Sequence, residues 1–200
     1  SKYQIAEEAF AAERHFARVK CGKQDHFASA FGGINSLKFF GNGSVEIQPL
    51  KLNIDDTELF DSLKLLWTGQ SRLASKILDL QSQVTNQKRL QLDELKKLSI
   101  SLRDLIIDKK FNKDVLIATL LSSWNLKKEI SSNITNSKID EILSYFDTSK
   151  VGYKISGAGG GGFILLVLKD NQTLENLKSE SFSFVSVKAD YLGSRSIAIN

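Results

Sequence analysis

The 200-residue sequence has one cysteine, one proline, two histidines and no methionine. A single thiol, Cys21, excludes an internal disulfide and favours a reducing compartment. No apolar run approaches the roughly 20 residues of a spanning helix. Nor does a basic-then-apolar leader open the chain. The expectation is a soluble, cytoplasmic protein with no membrane partner. Neither sign of charge dominates: 27 basic residues face 23 acidic ones, net +4, and the lysines are interleaved with acids. A dedicated nucleic-acid face should concentrate its charge, so no nucleic-acid partner is expected, whereas an anionic small molecule fits. Hydrophobic residues at 42% and charged residues at 25% form an ordinary globular composition. At this length a chain buries roughly 70% of its unfolded surface, as one large domain or two small ones.

What the chain has in excess is glycine at one place. Gly157-Ala158-Gly159-Gly160-Gly161-Gly162 sets five glycines in six positions, between Lys154-Ile155-Ser156 and Phe163. Glycine loses the most backbone entropy on ordering, so a run this dense implies positive φ or close approach to something. Successive N–H groups unobstructed by side chains can converge on a phosphate. Gly157, Gly159 and Gly162 fit G-x-G-x-x-G, but a dinucleotide fold needs a helix to open directly afterwards. Phe163 to Leu168 reads instead as a buried strand. The G-x-x-x-x-G-K-[ST] motif fails because Phe163 stands where its lysine should be. A ligand-free turn between two strands remains the alternative, although such a turn needs only one or two glycines.

Along the chain, Ile5, Ala9, Ala12, Phe16 and Val19 predict the buried face of an amphipathic helix. Its end is expected near Cys21-Gly22, with glycine as the left-handed cap. Ile34 to Phe40 and Ser44 to Leu50 predict a hairpin turning at Gly41-Asn42-Gly43. Asp55 and Asp56 can cap a short helix holding Leu59 and Phe60, and Leu63 to Trp67 reads as a strand. Core-facing helices are predicted from Leu73, Ile77, Leu80 and Val84, and from Leu92, Leu95, Leu102 and Leu105. Two more follow from Val115, Leu116, Thr119, Leu120 and Trp124, and from Ile139, Ile142, Leu143 and Phe146. Beyond the glycine run, Leu174 and Leu177 suggest a helix, and Phe182 to Val187 and Ser196 to Ile199 suggest strands. The order predicts an α+β fold, a split βαβ arrangement with extra helices, and a boundary around Leu52 to Asp56.

Asp25 is the candidate acid-base group, flanked by Gln24 and His26 and followed by small residues up to Gly32-Gly33. Its carboxylate can accept a hydroxyl proton, or it can simply cap a turn. Cys21, Asp25 and His26 also invite a thiol-histidine-carboxylate reading, but such partners are normally distant in sequence. No metal ligand is assigned: a site of Cys21, His15 and His26 stays open as an alternative, but these residues have no recognisable ligand spacing. An activating carboxylate with a glycine loop points to phosphoryl transfer, which relies chiefly on positioning and electrostatics.

The segment Ser156 to Phe163 resembles the third motif of the GHMP sugar and isoprenoid kinases, and Gly22-Lys23-Gln24-Asp25-His26-Phe27 through Gly32-Gly33 resembles their catalytic-aspartate segment. The likeness is greatest to D-glycero-D-manno-heptose 7-phosphate kinases. Thr68-Gly69-Gln70-Ser71-Arg72 is similar to their T-G-x-x-R, and Ser123-Trp124-Asn125-Leu126-Lys127-Lys128 to their W-x-L-K-K. The resemblance implies that Asp25 serves or orients the anomeric hydroxyl of a heptose 7-phosphate or similar sugar as it attacks the γ-phosphate of ATP, with Mg2+ as the accompanying ion. It implies that Gly157, Ala158, Gly159, Gly160 and Gly161 close over phosphate, and that Gln24, His26, Gly32 and Gly33 line the sugar. Arg72 is the candidate for the sugar's own phosphate, unless it is only a solvated helix-start arginine.

Two departures accompany the likeness. His26 replaces the glutamine usual at that position. The P-x-x-x-G-L-G-S-S loop that cradles ATP in this family has no counterpart, and a helical pattern opens directly at the first residues. The implied architecture is the C-terminal two-thirds of a two-domain GHMP fold. Residues 1–54 would complete an N-terminal domain, and 55–200 would form a ferredoxin-like split βαβ domain with extra helices. Such a piece is expected to lack kinase activity alone. The rivals are a fucose- or galactose-type kinase of the same family, and a non-catalytic ligand-binding module on the same scaffold.

Overall fold

The computed structural model describes residues 1–71, 87–170, 173, 175 and 182–195. The helix expected over Leu73 to Val84, the one at Leu174 and Leu177, the strand at Ser196 to Ile199, and Arg72 lie outside them. The chain divides into two compact units, 1–51 with 188–200, and 52–187.

The first unit opens with α1, Lys2–Ala11, whose Gln4 N–H donates to the capping Ser1 hydroxyl at 3.2 Å. It continues as a π-helical turn, Ala12–Phe16. The left-handed residue that follows is Arg18, at φ 55°, and not Gly22. The predicted apolar face is corrected as well: Ile5 is 45%, Phe16 85% and Val19 39% exposed. The buried stripe runs through Ala6, with Tyr3 edge-on to Phe27 at 5.1 Å and Phe10 edge-on to His26 at 5.6 Å. Two aromatics seven residues apart bring more area to the core than Ile5 and Ala9, and the wide π turn then breaks the 3.6-residue phase. The stretch around Asp25, to which the sequence assigns no element and where a turn-capping role is the alternative for Asp25, is a helix: α2 spans Gln24–Phe31 and buries Phe27 and Ala30. β1 (Asn35–Phe39) and β2 (Val45–Pro49) form the expected hairpin, with Leu37 opposite Ile47 and Gly43 N–H closing on Phe40 O at 2.9 Å.

In the second unit, α3 (Asp56–Ser62) is capped by Asp55, which accepts from the N–H of Thr57 at 2.7 Å. Strand β3 (Leu63–Trp67) follows directly. Next come α4 (Arg89–Ile107), α5 (Lys113–Ile130), a 3-10 turn (Ser132–Ile134) and α6 (Ser137–Ser144). Strands β4 (Val151–Ile155), β5 (Phe163–Leu168) and β6 (Phe184–Ser186) complete one sheet, ordered β4-β5-β3-β6. All its neighbours are antiparallel. β3 and β4 are therefore parallel, with β5 inserted between them, which is the split βαβ arrangement.

The core gathers Leu66, Trp124, Ile134, Ile139, Leu143, Val151, Ile155, Ile164 and Leu166. On β5, Leu166 and Val167 point to opposite faces and both are fully buried, so this strand reads as a continuous apolar run. The stripe on α4 is shallower than predicted: Leu92, Leu95, Leu102 and Leu105 are half-buried, and Ile106 is the buried residue. That helix packs chiefly on α5.

Candidate functional site

Two constellations carry chemistry, one in each unit. In the first, α2 places Gln24, Asp25 and His26 in its opening turn, where the helix dipole favours a carboxylate. Asp25, His26 and Ser29 line a cavity of about 280 Å³ together with Ile5, Ala9 and Glu13 of the first helix. Ile5 and Ala9, expected in the core, thus form its apolar wall. No ion pair or hydrogen bond holds the Asp25 carboxylate among the described residues. His26 Nε2 lies 2.7 Å from Glu13 Oε2, and its Nδ1 is buried without a partner.

The ligand atoms of Glu13, Cys21 and His26 all lie within 4.8 Å of one another. The fold thus joins Cys21 and His26 to Glu13, where the sequence reading joined them to Asp25. Burial, then the Glu13 carboxylate, pushes the Cys21 thiol above its ordinary pKa, which makes it a poor nucleophile. Glu13 escaped the sequence reading because it lies outside the predicted stripe of Ile5, Ala9, Ala12, Phe16 and Val19.

The glycine pair has a packing duty. Gly33 N–H donates to Asp190 O at 2.7 Å, and a β-carbon on Gly32, at φ 67°, would collide with the Gly193 backbone. These glycines let the 190–194 segment lie against the end of α2, where Ser194 N–H reaches Ala30 O at 3.1 Å.

The second constellation is the loop of residues 156–162 between β4 and β5. Gly162 O accepts from Thr68 N–H at 3.0 Å and from the Thr68 hydroxyl at 2.8 Å. Gly162 N–H donates to Gln70 O at 2.9 Å. Asn136 Nδ2 bridges Gln70 Oε1 at 3.0 Å and Gly160 O at 3.3 Å, and Gly160 N–H donates to Ile134 O. Gly159, at φ 97°, packs against Ile134 so closely that a β-carbon would stand 2.6 Å from Ile134 Cβ.

The Thr68-Gly69-Gln70 segment and the loop are thus one structure, although 94 residues separate Thr68 from Gly162. Lys127 at the end of α5 donates to Gly157 O at 3.2 Å. Burial, then the neighbouring Lys154, brings its pKa down to about 8, and burial lowers that of Lys154 too. The sequence reading quoted both lysines without giving either a role. Their only signal was position, one in W-x-L-K-K and one immediately before Ile155-Ser156 at the start of the glycine run. A second cavity, about 340 Å³, is lined by Glu58, Asp61, Lys113 and Asp170, with Lys113 3.0 Å from Glu58.

The family described as GHMP kinases C terminal matches residues 110–181. This segment is a GHMP kinase C-terminal domain. Across the wider chain, the D-glycero-alpha-D-manno-heptose 7-phosphate kinase of Campylobacter jejuni is 29% identical over 182 residues, 89% of this chain and 53% of that kinase. The bifunctional fucokinase/GDP-fucose pyrophosphorylase of Arabidopsis thaliana is 26% identical over 78% of this chain and 15% of its own length. The crystal structure of a D-glycero-D-manno-heptose 1-phosphate kinase from Bacteriodes thetaiotaomicron superposes with a TM-score of 0.64 at 21% identity, over 99% of this chain and 56% of the other. The α+β architecture around the GHMP domain is therefore that of the GHMP kinases. The chain spans about half the length of the heptose kinases it matches. No helix among the described residues is long and apolar enough to cross a membrane.

Proposed function

We propose that this chain is the larger part of a GHMP-type kinase that transfers the γ-phosphoryl group of ATP to the anomeric hydroxyl of a heptose 7-phosphate or similar sugar. The observation that carries the reading is the uncommitted Asp25 carboxylate, exposed to a cavity that has an apolar wall. A carboxylate without an ion-pair or hydrogen-bond partner is available to accept a hydroxyl proton. Phosphate binding is assigned to residues 157–161, where Gly159 and Gly161 N–H groups have no acceptor among the described residues. Sugar contacts are assigned to Gln24 and His26, while Gly32 and Gly33 shape the wall behind them. Magnesium calls for oxygen ligands, and Glu13 and Asp25 offer them in the same cavity.

The test is a phosphorylation assay of this chain, alone and joined to any residues that precede it in its reading frame, with ATP, Mg2+ and a panel of sugars and sugar 7-phosphates. Turnover of a heptose 7-phosphate is expected in the joined form, with a loss of about 100-fold or more in Asp25→Asn. Phosphorylation that survives Asp25→Asn unchanged refutes the role of Asp25. A preference for unphosphorylated fucose or galactose moves the substrate within the family.

A further inference from the structure

The second unit holds a cationic pair that its own side chains do not neutralise. Lys127 lies at the C-terminal end of α5 and Lys154 on β4, three residues before Gly157. The two elements run side by side, because Gly152 lets Ile117 approach so closely that a β-carbon would stand 2.6 Å from Ile117 Cα. Lys127 and Lys154 are both half-buried. Neither enters an ion pair among the described residues, whose acids pair with Lys23, His26, Lys97, Arg103, Lys110, Lys113 and Lys169. Burial is the chief cost of charging either lysine, and at Lys127 the neighbouring Lys154 adds to it. Two half-buried like charges without a counter-ion destabilise the ligand-free fold, so the compensating charge must come from outside it.

We propose that Lys127 and Lys154 form, with the foot of the glycine loop, a binding site for the phosphate monoester group of a substrate. A phosphate dianion matches two ammonium groups in charge and accepts hydrogen bonds from several directions at once. The loop adds the Gly159 and Gly161 N–H groups, which have no acceptor among the described residues. A neutral sugar gives the lysines nothing to neutralise, so the pair selects for a phosphorylated one. The choice of ligand rests on the kinase reading; the existence of an anion site does not. The same chemistry also suits a nucleotide phosphate, and the experiment separates the two sources.

Binding of mannose 6-phosphate, a heptose 7-phosphate, ATP and unphosphorylated mannose to the chain is measured by calorimetry, for wild type, Lys127→Gln, Lys154→Gln, the double variant and Lys127→Arg. Sugar-phosphate affinity is expected to fall at least about tenfold in each single glutamine variant and to be lost in the double variant, with Lys127→Arg restoring most of it. Mannose should not bind through this site. If ATP loses affinity and the sugar phosphates do not, the anion site stands and its phosphate is the nucleotide's. Affinities equal in wild type and double variant for every ligand overturn the proposal, as does a wild type that binds no phosphate. The two readings fail separately: turnover of the joined form that survives Asp25→Asn refutes the role of Asp25, whereas the anion site is judged only by the affinities of the lysine variants. Removing the repulsion should raise the Tm of the double variant, so its loss of binding is not a loss of fold.

Discussion

The Thr68 hydroxyl donates to Gly162 O at 2.8 Å, and the Thr68 N–H reaches the same oxygen at 3.0 Å. One fully buried threonine thus fixes the end of the glycine loop to the end of β3. Thr68→Val keeps the shape and leaves that carbonyl one donor short. It should cost about 1–2 kcal/mol in urea unfolding and speed hydrogen exchange over residues 157–162. Thr68→Ser should restore the protection. Equal exchange in the valine and wild-type proteins would show that the hydroxyl does not hold the loop.

Two glycines of the loop should differ sharply. An alanine at 159 meets Ile134 Cβ at 2.6 Å and adopts φ 97°, so overpacking and left-handed strain combine to about 2–5 kcal/mol. At 157 nothing lies within 4 Å, and only φ 74° penalises the substitution, by about 1–2 kcal/mol. Urea unfolding of Gly159→Ala and Gly157→Ala checks this, and equal losses would contradict the packing against Ile134.

Lys127 should leave a mark on stability at alkaline pH. Its pKa, about 8 in the fold and 10.5 ordinarily, means that the unfolded chain holds the proton more tightly. The penalty is therefore complete below pH 8 and is relieved as pH rises through 8 to 10.5. Lys127→Met should raise Tm at pH 7 and flatten its pH dependence across that window. A variant with lower Tm at pH 7 and the wild-type slope would count against the buried ammonium.

Cys21 should react slowly. Its thiol is held above the ordinary pKa by burial and by Glu13, so the thiolate is scarce near neutrality. Alkylation by iodoacetamide at pH 7 should run slower than that of a cysteine in an unstructured peptide. Glu13→Gln should quicken it, and a wild-type rate above the peptide's would reverse the reading.

The second unit was far more legible in the sequence than the first. β3 and β5 fall on the residues predicted, because Leu63 to Trp67 is apolar except at Lys64 and Phe163 to Leu168 is an unbroken apolar run. Asp55 caps the helix its position suggested. In the first helix, the π turn at Ala12–Phe16 destroyed the phase on which the prediction relied. Around Asp25, polar residues at Lys23 to His26 hid a helix whose burial comes from Phe27 and Ala30 alone. The glycine loop announced itself by composition. Its partners Thr68, Gln70 and Asn136 could not be found that way, since their link to it is one of space and not of spacing. Lys127 had no role in the sequence, because only the fold brings β4 and its Lys154 alongside α5.

The sheet order also dictates when the glycine loop can take its shape. β3 has no partner until β5, about a hundred residues later, and Gly162 finds Thr68 only once that pairing has formed. On the ribosome, α4, α5 and α6 can coil locally while β3 waits with both of its edges open. The loop thus acquires its shape only after β5 has been made, with β6 still to join the other edge of β3. A delay or misstep in synthesis before Leu168 leaves an apolar strand seeking any edge it can reach.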